Sequence, residues 1–331
     1  MYRILRADKD TYIQNKYVKG FRSTDANVGQ AGTIDIYKLY DETVVSGSSS
    51  GIELSRALLH FDLNPLRALT GSFLNLADTR TRCYINLRDI YGGQTVPSNF
   101  TLAIFPLAQA FDEGRGSDVI AYRDIDATNW VTGSISSGTV RLWNISGSVA
   151  SGTLGSPNLD YYVSGNLGSG VVALGVTQSF ARGDEDLLMD VTALVSGTIT
   201  GFLPDYGFRL SFVETQETDT ITRFVKRFAT RHVRDPFIRP TIILKADDSV
   251  RDTQAAAFFD VANQIGVYNT YFGQFRNFFS GSTAITGSNS LMLTLVSSHS
   301  NTYFTSSWST THSASITYLT SSYVYFSMSF T

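Results

Sequence analysis

The chain predicts an all-β protein, with an antiparallel, jelly-roll-like β-sandwich over residues 1–246 and a smaller β-sandwich domain over residues 247–331. Three observations carry this. Runs such as Leu59-His60-Phe61-Asp62-Leu63 and Phe208-Arg209-Leu210-Ser211-Phe212 alternate apolar and polar residues, the period of a strand with one face buried. Phe (22), Tyr (17) and Gly (27) are abundant while Pro (7) is scarce, which favours many strands joined by small-residue turns. At 331 residues, 43% of them apolar and 17% charged, the chain can bury one large or two medium cores.

Taken in order, Asp10-Thr11-Tyr12-Ile13 opens with β-formers, and Thr33–Tyr40 alternates after the polar stretch Ser23–Gly32. A Ser/Gly loop, Ser46–Gly51, precedes the strand centred on Leu59, and Pro65 calls for a turn or a single helical turn. Cys83–Ile90 and Thr101–Leu107 read as strands, and residues 133–170, rich in Ser and Gly, as loops with one or two edge strands. Met189–Val195 reads as a strand leading to Phe208–Phe212, with Gly207 at the entry to the latter. Thr220–Arg231 and Pro240–Lys245 complete the first domain.

Composition narrows the function classes. A formal charge of -3 with no basic stripe argues against nucleic acid as a partner. Cys83 is the one cysteine, so neither an intrachain disulfide nor a cysteine metal cluster can form. Met1–Asp10 lacks the apolar run of a secretory signal and no segment has ~18 uncharged apolar residues in a row, so the expectation is a protein folded in a cytoplasm without a membrane span. His60, His232, His299 and His312 are far apart and form no helical metal-binding pair. Gly47-Ser48-Ser49-Ser50-Gly51 has the spacing of a nucleophile elbow but sits in a Ser-rich loop, not between a strand and a helix. The expectation is no catalytic residue.

Charge disappears from the C-terminal segment. Asp247–Asp252 forms a charged joint, Arg276 is the last charged side chain, and Asn277–Thr331 contains no Asp, Glu, Lys or Arg. Within it Leu291, Leu293 and Leu295 alternate with Met292 and Thr294, and Val324, Phe326, Met328 and Phe330 alternate with Tyr323, Tyr325, Ser327 and Ser329. Soluble monomers keep interspersed charge on exposed faces. Tyr323, Val324, Tyr325, Phe326 and Phe330 are therefore expected to form an assembly interface with copies of this chain or another subunit.

Two further groups stand out. Trp130, Trp143, Tyr161 and Tyr162 are the candidate aromatic platform for a glycan, packed loop aromatics being the alternative. Asp112, Glu113 and Asp118 in one Gly-containing loop, and Asp184 and Asp186 in another, are candidate oxygen ligands for a structural calcium, without EF-hand spacing. Arg115 and Arg182 are the alternative counter-charges.

An ordered series of short motifs adds to this reading: Asp10-Thr11-Tyr12-Ile13, Asn27-Val28-Gly29, Ala57–Leu63, Asp112-Glu113-Gly114, Asp190–Val195, Tyr206–Leu210 and Arg239-Pro240-Thr241-Ile242-Ile243-Leu244. In this order they resemble the landmarks of the DNRLRE-type β-sandwich family, related to polysaccharide-binding modules, over residues 1 to about 246. His60 stands where such domains often carry Arg, and the name-giving hexapeptide is absent. The resemblance implies a sandwich of the kind found in secreted bacterial proteins and tailed-phage virions. With the expected cytoplasmic folding and the charge-free tail, the implied role is a non-enzymatic virion structural component at a collar or neck, on the head, or in a tail or fibre. Its partners would be other virion proteins and copies of itself. A carbohydrate-binding module is the alternative, and a polysaccharide-degrading enzyme with two acids in a cleft comes third.

Overall fold

The computed structural model describes residues 2–45, 48–49, 51–70, 74, 76, 79–90, 93, 95–117, 127–136 and 138–246, and from residue 250 onward the backbone of strands. The chain forms two compact units, Met1–Ala246 and Asp247–Thr331, so the division falls at the charged joint.

Leaving aside two-residue pairs, the first unit begins with β1 (Tyr2–Arg6), β2 (Lys9–Gln14), β3 (Thr33–Tyr40), β4 (Ile52–His60), β5 (Arg82–Leu87) and β6 (Phe100–Pro106). Next come β7 (Thr132–Ser136), β8 (Thr139–Leu142), β9 (Ser151–Thr153), β10 (Tyr161–Asn166) and β11 (Val171–Ala173). The unit ends with β12 (Val176–Phe180), β13 (Leu187–Asp190), β14 (Phe208–Phe212), β15 (Arg223–Ala229) and β16 (Thr241–Lys245). One antiparallel sheet runs β1-β16-β5-β13. The other runs β12-β6-β14-β4-β3-β15, with β2 also paired to β4. The all-β, sandwich-like fold class is thus the observed one.

The core lies between these sheets. Ile85, Leu87, Leu187, Met189, Ile242 and Leu244 of the smaller sheet share one cluster with Leu59, Phe100, Leu102, Phe180, Leu210 and Phe228 of the larger. Phe100 anchors it, stacked on Phe180 at 4.8 Å and edge-on to Phe212 at 5.5 Å. Each such buried side chain contributes about 1.5–3 kcal/mol of transfer free energy. The backbone itself is tightly fitted at β14, where a Cβ on Gly207 would meet the Leu59 carbonyl oxygen at 2.2 Å and φ is +89°. Only glycine satisfies both conditions.

β14 also shows what alternation alone does not. Phe208, Leu210 and Phe212 face the core as expected, yet Arg209 and Ser211 are buried as well. The opposite face of the large sheet is covered by the described residues of the segment between β6 and β12, which form short strands with irregular connections. A second cluster lies under this lobe, joining Ile13, Leu54 and Leu58 of the sheet to Leu107, Phe111, Trp130 and Trp143.

The stretch Met189–Val195 differs from expectation. The strand ends at Asp190, whose carboxylate accepts the Thr192 N–H at 2.9 Å, and α2 (Thr192–Ile199) follows. Leu194 and Thr198, and Val195 and Ile199, are spaced four apart, so a helix buries them together where a strand would turn alternate ones outward. Pro65 does open a single helical turn, α1 (Asn64–Arg67).

In the second unit the backbone of 262–271 pairs with 324–329, with Val324, Tyr325 and Phe326 opposite Val267, Gly266 and Ile265. Separately, Gly287–Ser300 and Thr305–Ile316 form a two-stranded antiparallel hairpin. Tyr323 and Phe330 of the expected interface lie outside the described residues.

Candidate functional site

The inserted lobe holds a hydrogen-bond network built around one buried acid. Its centre is Asp160, which precedes β10 and is fully buried. Oδ1 of Asp160 accepts from Gln109 Nε2 at 2.8 Å, the Asn144 backbone N–H at 2.7 Å and Asn144 Nδ2 at 3.1 Å. Oδ2 accepts the N–H groups of Ile145 at 3.2 Å and Ala150 at 2.9 Å. One carboxylate therefore ties together three segments with little regular pairing of their own, through charge-assisted hydrogen bonds. Gln109 and Asn144 also line a groove of about 200 Å³, together with Ala108, Ser156, Asn158, Leu159 and Tyr162. Asn158 holds a left-handed backbone at φ 57°, which asparagine adopts more readily than most residues.

β10 sets which aromatic serves which side. Tyr161 packs on Phe105 at 5.0 Å and lies under the Arg209 guanidinium at 4.4 Å. Tyr162, the next residue, lines the groove, and burial followed by the neighbouring Tyr206 raises its pKa. The platform expected from all four aromatics is corrected here. Trp130 and Trp143 are 8% and 4% exposed and plug the space between lobe and sheet, so neither offers a ring face to a ligand. Trp143 Nε1 donates to the Asn129 carbonyl at 2.9 Å, and Trp130 lies under Arg56 at 5.0 Å.

Beneath the lobe is a buried charge group that sequence reading missed. Arg56 donates through Nε and Nη2 to the two oxygens of Glu217 at 2.8 and 2.7 Å, and through Nη1 to the Gly147 carbonyl at 2.8 Å. Arg209 approaches the same carboxylate at 3.8 Å and donates to Ser211 at 2.8 Å. Burial pushes Arg209 down to about 10, with the Arg56 charge adding to the effect. Burial alone would raise Glu217, but the Arg56 charge and hydrogen bonds, with Arg209, hold it below its usual value.

The acidic loops are organised by donors. Asp112 accepts the Ile135 N–H at 2.5 Å. Glu113 takes Arg231 Nε and Nη2 at 2.5 Å each, the Asp10 N–H at 3.0 Å and His232 Nε2 at 3.2 Å. Its counter-charge is thus Arg231 rather than Arg115. Asp184 pairs with Arg182 at 3.2 Å, while Asp186 pairs with Arg88 and accepts the Asp89 N–H at 2.8 Å. Asp118 lies outside the described residues. The structure therefore does not gather Asp112 and Glu113 into one carboxylate set; each faces its own donors.

What gathers instead is Asp10, Glu113 and His232, each offering a ligand-type atom within 4.8 Å of the others. Asp10 is fully buried, its Oδ2 accepts the Arg231 N–H at 2.5 Å, and Oδ1 has no hydrogen-bond partner. Burial raises its pKa to about 7. The loop carrying Glu113 is clasped by buried Asn27, whose Nδ2 donates to the Glu113 and Thr128 carbonyls at 2.9 and 2.7 Å while Oδ1 accepts the N–H groups of Gly29 and Gly116. Asp10, Asn27-Val28-Gly29 and Asp112-Glu113-Gly114, distant in sequence, thus meet in one knot. Nearby in sequence to Asp10, Asp8 accepts from His60 Nδ1 at 2.6 Å, and Asp205 stands 3.6 Å from Nε2.

No protein-family model matches the chain, and a search of curated proteins finds no relative. Among the described residues no helix is long and apolar enough to cross a membrane.

Proposed function

We propose that the chain is a structural subunit of a large protein assembly, of the kind from which a tailed-phage virion is built. In this reading the first unit is a DNRLRE-type sandwich that presents the inserted lobe, and the second unit docks onto copies of itself or onto other subunits. The observation that carries the reading is the hairpin of Gly287–Ser300 and Thr305–Ile316. Its strands have 14 and 12 residues, contain no charged side chain, and pair with each other alone among the described residues. At about 3.3 Å per residue the longer strand spans about 45 Å.

A two-stranded sheet is marginal in water without a third strand or a covering layer. Free edges are normally blunted by charge, proline or a bulge that keeps other chains away. A long neutral hairpin gains most from strands or side chains supplied by neighbouring subunits. Light scattering on the full chain is expected to give a defined oligomer, and Thr294→Lys with Thr311→Lys, at paired positions of the hairpin, is expected to dissociate it. A parent chain that stays monomeric at high concentration, and is missing by mass spectrometry from purified particles, would remove the reading.

A further inference from the structure

We infer that Asp10, Glu113 and His232 form a binding site for a divalent transition-metal ion of the zinc class. The three come from β2, from the loop after β6 and from the segment after β15, and one ligand-type atom of each lies within 4.8 Å of the other two. Asp10 supplies the observation that points to a ligand. It is fully buried, its Oδ2 accepts the Arg231 N–H at 2.5 Å, and its Oδ1 accepts from nothing. A buried acceptor left unpaired is costly, and a bound ion is one of the few things that accounts for it. Glu53 Oε1 is the other carboxylate oxygen left this way among the described residues, and Glu53 belongs to no such group.

The donor set decides the class of ion. His232 Nε2 stands 3.2 Å from Glu113 Oε1, so nitrogen and oxygen already face one another, and an ion entering between them takes the place of the proton they share. His60 also contacts two carboxylates, but through opposite ring nitrogens, Nδ1 to Asp8 at 2.6 Å and Nε2 to Asp205 at 3.6 Å, so those two cannot converge on one ion. One imidazole nitrogen with two carboxylate oxygens suits zinc, which takes three protein ligands and leaves a further position for water. Calcium asks for about six to eight oxygens, and a nitrogen in the set selects against it.

Arg231 sets the strength. Its guanidinium holds both oxygens of Glu113 at 2.5 Å through Nε and Nη2, and so already neutralises the carboxylate that the ion needs. The Arg231 side chain is 34% exposed and can turn toward solvent, while its backbone N–H stays on Asp10. Metal and guanidinium therefore compete for one carboxylate. With the ion in place, two carboxylates and a neutral imidazole leave no net charge, and coordination ties together the three segments that the ion pair otherwise joins in part.

The test uses the full chain without an affinity tag, stripped with a chelator and dialysed, in titration calorimetry with zinc chloride. Zinc is expected to bind with a Kd of about 1–10 μM, and to raise the melting temperature by about 5 °C when present at about a hundred times Kd. Calcium and magnesium are expected to bind at least about a hundredfold more weakly. His232→Ala removes the nitrogen donor from a partly exposed position and is expected to weaken zinc about a hundredfold while the metal-free melting temperature changes little. Arg231→Gln removes the competing cation and is expected to tighten zinc about tenfold, whereas a guanidinium that only organised the loop would leave a weaker site. The inference is overturned if zinc does not bind below about 1 mM, if calcium binds as tightly, or if His232→Ala binds zinc like the parent. Weaker zinc binding by Arg231→Gln would overturn the competition at Glu113.

Discussion

The two faces of the seven-stranded sheet are built from the same strands but held by different physics. Toward the smaller sheet, Leu59, Leu102, Leu210 and Phe212 pack in a continuous apolar cluster, where each contact is weak, non-directional and replaceable by another of similar volume. Toward the inserted lobe, apolar packing surrounds one Glu217 shared by two buried guanidiniums. Such a group is stable only when complete, because removing one member leaves another charge buried and unpaired. The comparison teaches that burial alone does not say how a position fails.

Breaking each face separately should expose that difference. Glu217→Gln removes the shared anion and leaves Arg56 and Arg209 buried as cations, an expected loss of about 3–5 kcal/mol in urea unfolding. Leu210→Ala on the inner face should cost about 2–5 kcal/mol, scaling with the cavity that remains. The sharper distinction is in the second substitution. Adding Arg56→Met to Glu217→Gln is expected to recover part of the loss, since one stranded charge goes, whereas adding Leu102→Ala to Leu210→Ala should deepen it. Equal behaviour of the two pairs would mean that the outer face is held by packing as well.

The knot at the edge of the lobe is a smaller-scale version of the same contrast, because there the backbone does the fitting. A Cβ on Gly29 would lie 1.8 Å from the Glu113 carbonyl oxygen. Gly29→Ala is therefore expected to push the Asp112–Gly116 loop off Asn27, at a cost of about 1–3 kcal/mol for overpacking. Faster amide exchange at Gly116, whose N–H Asn27 accepts at 2.8 Å, would report the opening; unchanged exchange there would show that the loop is held by other contacts.

How much of this was legible in the sequence follows from what periodicity reports. Alternation at Phe208–Phe212 and Leu59–Leu63 tells which way a side chain faces, so the inner core was readable. It does not tell what lies outside, so Arg209 read as a polar surface residue although a lobe covers it. A clue was present: Ile13 and Leu58 are apolar on the side that alternation assigns to solvent, and Trp130 and Trp143 are the residues that cover them. The four-residue spacing of Leu194, Val195, Thr198 and Ile199 was likewise available and was outweighed by the β-forming residues in the same run. Asp160 had no sequence signal, since its role depends on N–H groups from irregular segments that meet only in the fold. The Asp10–Glu113 contact was half legible, with each residue sitting in one of the short motifs of the ordered series and only the fold joining them.

That contact gives an effect whose sign distinguishes it from the rest. Glu217, held below its usual pKa of 4.5, contributes stability above that value that is lost as pH falls through its folded pKa. Asp10 works in the opposite direction: burial raises its folded pKa from 3.8 to about 7. Its contribution is full below 3.8 and is lost as pH rises through about 7. His60 adds the same sign, because although burial opposes its charge, the carboxylates of Asp205 and Asp8 raise its pKa above 6.5, and that support too is lost at higher pH. The first unit is therefore expected to lose stability as pH rises from 3.8 to about 7 through Asp10, with His60 extending the decline above 6.5. Asp10→Asn keeps an acceptor for the Arg231 N–H and removes the charge, so it should flatten that decline, leaving stability below about pH 4 little changed and raising it at about pH 8. Melting temperatures of parent and variant across this range are the measurement. If the two curves stay parallel, the buried carboxylate is not what titrates, and the decline belongs to His60 and its two aspartates.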